Sequence, residues 1–213
     1  MLIAFCGCDG AGKSTQIKRI YKWLELEGYE VAIIDKWDIL DVDRFPECRF
    51  IKTKLEDLRV CIAEMEGISR AMFLFWSISI TLKNHDLNNP NIFYLLDGYW
   101  MKHGAAEIEY GCAPAWIKTS AKCLPQPDIT FYFDVTPEEA LKRKTELTPY
   151  ECGRNTALDA QDFIAHQTKV RQRMNRWSED FGWLKISSLQ DENSVTKKVQ
   201  GCIRKLCQIG DSY

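Results

Sequence analysis

The sequence predicts an α/β fold in which helices cover both faces of a doubly wound, five-stranded parallel sheet. Five short apolar runs alternate with segments whose apolar residues recur at helical spacing. Such alternation favours parallel strands joined by helices. The first run also ends in a glycine-rich loop that leads directly into a helical segment. The five predicted strands lie at residues 2–5, 31–35, 92–97, 129–135 and 183–187.

Length and charge limit the class of protein. The chain has 213 residues, which suits a single domain over residues 1–213 with a sizeable core. Its formal net charge is −2, which disfavours nucleic acid as a partner but leaves it open. The most apolar segment, 71–82, is too short to span a bilayer. The start of the chain lacks the pattern of a signal peptide, so we expect a cytoplasmic protein without membrane contact.

Nine cysteines are many for a chain of this length, but none of them forms a C-x-x-C pair. In a cytoplasmic protein we expect mostly buried, free thiols. Whether any of them binds a metal, for example Cys112, Cys123 and Cys152 together, stays open at this stage.

Residues 6–15, here called the phosphate loop, have the G-x-x-x-x-G-K-S pattern of loops that cradle phosphate groups. Glycines let backbone N–H groups approach phosphate oxygens, and the following helix adds the positive end of its dipole. Lys13 is placed to reach the β- and γ-phosphates of ATP, and the Ser14 hydroxyl is placed to hold Mg²⁺. We expect the nucleotide to bind on Asp9, Gly10, Ala11, Gly12, Lys13, Ser14 and Thr15.

Helical segments are expected between the strands. The first begins near Lys13, the second runs from near Cys48 through Met65, and the third, 68–83, is apolar on nearly every side and therefore buried. The remaining predicted helices are a short one after the third strand, one opened by Pro114, one capped by Thr136, and helices over 159–180 and 193–207.

Two charged residues stand at the carboxyl ends of predicted strands, where open α/β sheets bind ligands. Lys36 follows the second strand, and Asp97 closes the third. An acidic residue at such a strand end can complete the Mg²⁺ shell begun by Ser14. We therefore include Asp97 with Lys13 among the catalytic candidates.

A basic segment follows the fourth strand. Residues 142–144 read Lys-Arg-Lys, and the loop-like stretch after them contains Pro149, Gly153 and Arg154. We expect a helical lid over about 143–158, here called the lid segment. In it, Arg143 and Arg154 would close over the transferred phosphoryl group, stabilise its charge and exclude water. The alternative for either arginine is a charge that simply faces solvent.

Several of these motifs resemble the thymidylate kinase family. The loop residues Asp-Gly-Ala-Gly-Lys-Ser-Thr have that family's form, and residues 127–144 are similar to its segment leading into the lid. Leu74-Phe75 is similar to the start of its thymine-side helix motif, and Asp97-Gly98-Tyr99 stands where the family has Asp-Arg-Tyr. The resemblance implies a P-loop nucleotide kinase that uses ATP and Mg²⁺.

The resemblance also implies roles for individual side chains. Asp9 would bind the 3′-hydroxyl of the acceptor sugar, Phe75 would stack on its base, and Tyr99 would crowd the 2′ position and favour deoxyribose. Asp97 would organise Mg²⁺ and the acceptor phosphate. Lys36 stands where the family has an arginine near that phosphate, so the charge is kept.

Two family arginines that help hold the acceptor phosphate are absent, since Gly98 and Ser79 occupy their positions. Each lost guanidinium removes charge-assisted hydrogen bonds worth about 1.5–3 kcal/mol. Either Lys36, Arg70 or Lys102 replaces them, or the acceptor is not a plain monophosphate.

The sequence thus predicts a kinase that transfers the γ-phosphoryl group of MgATP to a thymidylate-like deoxynucleoside monophosphate by in-line attack. Two alternatives stay open. One is the same scaffold acting on another nucleotide, a hydroxymethylated base or a small-molecule hydroxyl. The other is a non-catalytic nucleotide-binding protein. The family resemblance also allows a homodimer formed through the apolar helix around residues 72–76.

Overall fold

A single five-stranded sheet forms the centre of the molecule. The computed structural model describes residues 1–155 and 157–207. The strands are β1 (Leu2–Gly7), β2 (Glu30–Ile34), β3 (Ile92–Asp97), β4 (Ile129–Asp134) and β5 (Leu184–Ser187). Their order in the sheet is β2-β3-β1-β4-β5, and every neighbouring pair is parallel. The predicted doubly wound parallel sheet is therefore confirmed.

The described residues also form eight α-helices and two 3-10 helices, all of which lie between strands except α8, which follows β5. The α-helices are α1 (Lys13–Leu26), α2 (Leu55–Glu64), α3 (Ile68–Leu82), α4 (Trp100–Glu109), α5 (Pro114–Lys122), α6 (Pro137–Lys142), α7 (Ala160–Asp180) and α8 (Glu192–Cys207). The 3-10 helices are Lys36–Leu40 and Pro46–Cys48. Thr136 caps α6 as predicted, because its side chain accepts a hydrogen bond from the Glu139 N–H.

Helices cover both faces of the sheet, so β1 is buried along its whole length. Its side chains alternate between two apolar clusters, as the pleat of a strand requires. Ala4 and Cys6 join the cluster that contains side chains of α3, α4, α5 and α7. Ile3 and Phe5 join the cluster that contains side chains of α1, α6 and α8. The carboxyl end of this buried strand, where the phosphate loop begins, is consequently held from both sides.

A third apolar cluster joins the two 3-10 helices to α2 and α3, and it corrects one predicted helix. The predicted helix from Cys48 through Met65 is wrong in its first part. A 3-10 helix ends at Cys48 and α2 begins only at Leu55. Between them Ile51 packs on this cluster and the exposed Phe50 contacts the Trp76 ring, and two adjacent residues do not form the apolar stripe that would hold the stretch as a helix.

The lid segment is the second difference from the expected fold. α6 ends at Lys142 and α7 begins at Ala160, and the described residues between them form turns, so the expected helical lid is wrong. Gly153 and Arg154 both adopt left-handed backbone angles, with φ of 68° and 70°, which an α-helix excludes.

The cysteines fit the expectation of free thiols. All nine are free, and five of them are buried. Within residues 1–155 and 157–207, no three His, Cys, Asp or Glu side chains gather as a group that could hold a metal ion. A helix with the length and apolar character needed to cross a membrane is also absent from these residues.

Candidate functional site

The phosphate loop borders an open cleft of about 600 Å³, here called the phosphate-loop cleft. All seven residues expected to bind ATP, 9–15, line it. Arg143 and residues from the connection between β5 and α8, including Ser188 and Asp191, complete the lining. The sequence motif therefore forms one concave surface rather than a scattered set of side chains.

Two glycines give the loop its shape. Gly10 has a φ of +79°, and a Cβ there would lie 2.6 Å from the carbonyl oxygen of Ala140. Gly12 has a φ of +84° and precedes the first residue of α1. Both angles are unfavourable for residues with a side chain, so the loop requires glycine at both positions. The turn they form directs the start of α1 toward the cleft, where its backbone N–H groups can bind an anion.

Lys13 lies over the loop that precedes it. Its ammonium donates hydrogen bonds to the carbonyl oxygens of Gly7, at 3.1 Å, and Cys8, at 2.9 Å. These contacts hold the positive charge at the edge of the phosphate-loop cleft, which Lys13 lines. A cation fixed there is placed to interact with terminal phosphate oxygens.

Ser14 and Asp97 meet at the end of β3. The Ser14 hydroxyl donates a hydrogen bond to the Asp97 carboxylate at 2.8 Å. This meeting follows from the sheet register, in which Asp97 pairs with Phe5, two residues before the loop's first glycine. Mg²⁺ binds oxygen ligands, and in nucleotide sites a carboxylate and the hydroxyl of the phosphate-loop serine are among them, so the residues present suit that ion.

Arg143 is held against the phosphate loop. Its guanidinium donates hydrogen bonds to the carbonyl oxygens of Ser188, at 2.7 Å, and Gly10, at 3.3 Å. The side chain therefore borders the phosphate-loop cleft from the beginning of the lid segment.

Arg154 lies elsewhere. Its guanidinium contacts the Glu66 carboxylate at 3.5 Å, and it lines neither cleft described here. The structure therefore brings only one of the two predicted lid arginines to the site, because Arg154 pairs with Glu66 away from both clefts.

A second cleft, of about 420 Å³, adjoins the first. It lies between the 3-10 helix Lys36–Leu40, α2, α3, α4 and the lid segment, and Asp9 lines both clefts. Ile62, Leu74 and the aromatic side chains of Trp37 and Tyr150 give it apolar walls. The two clefts thus meet at one acidic side chain of the phosphate loop.

Asp9 and Lys102 form a salt bridge at this junction. Burial raises the pKa of the Asp9 carboxyl, but Lys102 and Lys13 outweigh that effect and bring it well below its usual range. Burial lowers the pKa of Lys102, but Asp9 outweighs it and the net shift is upward. Both groups are therefore charged at neutral pH, and a fixed cation and a fixed anion lie where the clefts meet.

Lys36 lies against the Trp37 ring, with its ammonium 4.5 Å from the ring centre. The guanidinium of Arg59, on α2, lies 5.8 Å from the same ring centre. Burial lowers the pKa of Lys36 to about 8, and the nearby charge of Lys102 adds to this effect. Both Lys36 and Arg59 line the second cleft.

Arg70 does not line the second cleft, which contradicts its expected contact with the acceptor. Its side chain is fully buried and its Nε donates to the Glu107 carboxylate at 2.8 Å. The guanidinium also lies 4.3 Å from the centre of the Tyr110 ring. A buried pair of this kind joins α3 to α4 and leaves Arg70 no route to a ligand.

Phe75 and Tyr99, the two aromatic candidates, also lie outside the lining of the second cleft. Phe75 packs edge-on against Trp116 at 5.8 Å, while its neighbour Leu74 lines the cleft. The buried Tyr99 hydroxyl donates to the carbonyl oxygen of Pro125 at 2.9 Å. The base-stacking and 2′-crowding roles implied for them therefore do not match their placement, since both side chains belong to the apolar core.

Several lining residues were missed by the sequence analysis. Arg59 precedes Ile62 by three positions on α2, and this helical spacing would have placed both on one side. His103 follows Lys102 directly. Lys144 belongs to the basic cluster 142–144, and it pairs with Glu151 at 2.9 Å. Burial lowers the pKa of His103 well below its ordinary value, so that ring is neutral.

Comparison with known proteins identifies relatives over most of the chain. A thymidylate kinase of Pelodictyon phaeoclathratiforme is 32% identical over 211 residues, which covers 92% of this chain and 86% of that protein. A thymidylate kinase of Caldanaerobacter subterraneus is 29% identical over 205 residues, with 92% and 91% covered. A thymidylate kinase of Caenorhabditis elegans is 26% identical over 202 residues, with 93% and 88% covered. No protein-family model matches the chain.

Proposed function

The chain belongs to the thymidylate kinase family, and we propose that it transfers the γ-phosphoryl group of ATP to a thymidylate-like deoxynucleoside monophosphate. The observation that carries this proposal is the shared wall at Asp9, which lines both clefts. A phosphoryl donor in one cleft and an acceptor in the other would meet there. Positioning two reactants in this way is the main catalytic requirement of in-line phosphoryl transfer.

The phosphate-loop cleft is the proposed ATP site, and thymidylate kinases use ATP as a substrate. The loop N–H groups at residues 9–15 would bind the phosphates, and Lys13 would neutralise the terminal ones. Arg143 would stabilise the charge of the moving group from the start of the lid segment. Ser14 and Asp97 would hold Mg²⁺, which supplies charge neutralisation when bound.

The second cleft is the proposed acceptor site. Its cations and apolar walls suit a molecule with an anionic end and a flat base. Asp9 would accept a hydrogen bond from a sugar hydroxyl while Lys102 holds its carboxylate in place. Leu74 and Tyr150 would contact the base, in place of the predicted Phe75.

Assembly and location complete the proposal. We propose a single domain over residues 1–213 that acts in the cytoplasm on small-molecule nucleotides.

Large apolar side chains are exposed on and beside α2 and α3, and a homodimer would cover them: Phe50, Val60, Ile68 and Met72. Light scattering on the purified protein tests the dimer, and Met72→Lys should shift the protein toward monomer.

A turnover panel tests the function. The protein is incubated with MgATP and each nucleoside monophosphate in turn, and ADP is followed. We expect dTMP to give the highest kcat/KM. If every monophosphate fails while a hydroxymethylated base or a hydroxyl compound is phosphorylated, the acceptor assignment is wrong. If ATP binds and nothing turns over, the protein is a nucleotide-binding protein rather than a kinase.

A further inference from the structure

The second cleft contains cations that lack a carboxylate partner. Four lysine or arginine side chains line it, and two of them are already paired. Lys102 pairs with Asp9, and Lys144 pairs with Glu151. The other two, Lys36 and Arg59, form no salt bridge with any residue in the described ranges 1–155 and 157–207.

The protein orders these two cations without neutralising them. Both contact the ring of Trp37, at 4.5 Å for the Lys36 ammonium and 5.8 Å for the Arg59 guanidinium. A cation beside an aromatic face gains electrostatic attraction while keeping its full charge for a ligand. Asp35 attracts Lys36 but makes no salt bridge with it; the Asp35 carboxylate instead accepts a hydrogen bond from the backbone N–H of Trp37 at 2.9 Å.

The backbone around Arg59 is fixed, although the side chain is exposed. Leu58 and Ile62 anchor α2 in the apolar cluster that also contains Ile39 and Leu74. Arg59 therefore stands on a packed helix and lines the cleft. Three carboxylates also line the cleft: Asp9 and Glu151 are paired, whereas Glu146 is exposed and forms no salt bridge among the described residues, so the local charge is not wholly positive.

From this arrangement we propose that Arg59, together with Lys36, binds the phosphate group of the acceptor. This inference rests on the proposed function and names a further residue of its acceptor site. A guanidinium and an ammonium together supply charge-assisted hydrogen bonds to a phosphate dianion. Arg59 thereby compensates for the two family arginines whose positions Gly98 and Ser79 occupy. The buried Arg70 cannot take this role.

The test compares a monophosphate with its matched nucleoside, which differ only in the phosphate. Affinities of dTMP and thymidine are measured by calorimetry for the wild type, Arg59→Gln, Arg59→Lys and the control Arg49→Gln. Arg49 is also exposed but donates to the Pro46 carbonyl oxygen outside the cleft. If another monophosphate gives the highest kcat/KM, that compound and its nucleoside replace this pair, and a weakly bound nucleoside is measured as a competitive inhibitor.

We expect Arg59→Gln to weaken binding of the monophosphate about ten- to one-hundredfold and to leave the nucleoside unchanged. Arg59→Lys should lose less affinity for the monophosphate than Arg59→Gln does, and Arg49→Gln should keep the wild-type affinity. Equal losses for both ligands, or no loss for either, would overturn the inference. The wild type reports on the proposed function separately: if it binds ATP but neither binds nor phosphorylates any monophosphate, the function and the inference fall together.

Discussion

The two clefts differ in how they are assembled. The phosphate-loop cleft is formed mainly by one continuous stretch, residues 9–16, whose glycines set the backbone. The second cleft draws its lining from separate segments: the 3-10 helix after β2, α2, α3, α4 and the lid segment. A continuous loop keeps its chemistry as long as its own sequence is kept. A surface built from separate segments can replace a cation on one segment by a cation on another. The proposed role of Arg59, in place of the family arginine at the position of Gly98, is an example.

The largest expected effect lies in the phosphate-loop cleft. Lys13→Ala should lower kcat by at least about 10²- to 10³-fold, because it removes a fixed cation from the proposed path of the phosphoryl group. Steady-state kinetics with MgATP and dTMP measure it. Lys18→Ala, an exposed lysine on the next turn of α1, is the control and should be silent. A Lys13→Ala protein with wild-type turnover would contradict the site assignment.

Arg70, which is buried outside the second cleft, separates an effect on stability from an effect on acceptor binding. Arg70→Met should lower the free energy of unfolding by about 3–5 kcal/mol, because it leaves Glu107 buried without its cation. Denaturant unfolding measures the loss. Replacing both partners, as in Arg70→Met with Glu107→Leu, should recover part of it. If Arg70→Met instead raises KM for the acceptor while stability is unchanged, the expected acceptor contact was right after all.

A smaller effect should depend on pH through Lys36. Burial lowers its pKa to about 8, and Lys102 adds to that, whereas Asp35, Asp9 and Asp97 raise it. The Lys36 side chain is therefore mostly charged below pH 8, and it loses this positive charge as pH rises through that value. For a site that needs the charged form, KM for the monophosphate should rise up to about tenfold between pH 7 and pH 9.

Lys36→Arg is the matched control for this pH dependence. A guanidinium stays charged over the whole range, so KM in this variant should be nearly independent of pH from 7 to 9. The same rise in both proteins would assign the titration to another group.

The smallest effect distinguishes a core tyrosine from a sugar contact. Tyr99→Phe should cost about 0.5–1.5 kcal/mol of unfolding free energy, because it removes the hydrogen bond to the Pro125 carbonyl. The ratio of kcat/KM for dTMP to that for the ribonucleotide should stay unchanged. A fall in that ratio would show that the 2′-crowding role implied by the family resemblance applies despite the observed orientation.

The sequence by itself determined the sheet, most helices and the phosphate-loop cleft. Strand burial follows from local apolar runs, and the geometry of the loop follows from glycines at fixed spacing, so neither needs knowledge of distant contacts. The meeting of Ser14 and Asp97 was also expected from the sequence, since an acidic residue at a strand end can complete a Mg²⁺ shell begun by the loop serine. The register that places the end of β3 beside β1 came from the structure.

Only the tertiary structure decided the second cleft. Whether Arg70 faces Glu107 or a ligand depends on how α3 packs on α4. The same packing decides that Leu74 lines the cleft and that Phe75, the next residue of α3, does not. Arg59 became a candidate because α2 packs beside Trp37, a contact between segments more than twenty residues apart. Side-chain direction on a packed helix is set by partners that are distant in the chain, and local sequence patterns do not contain that information.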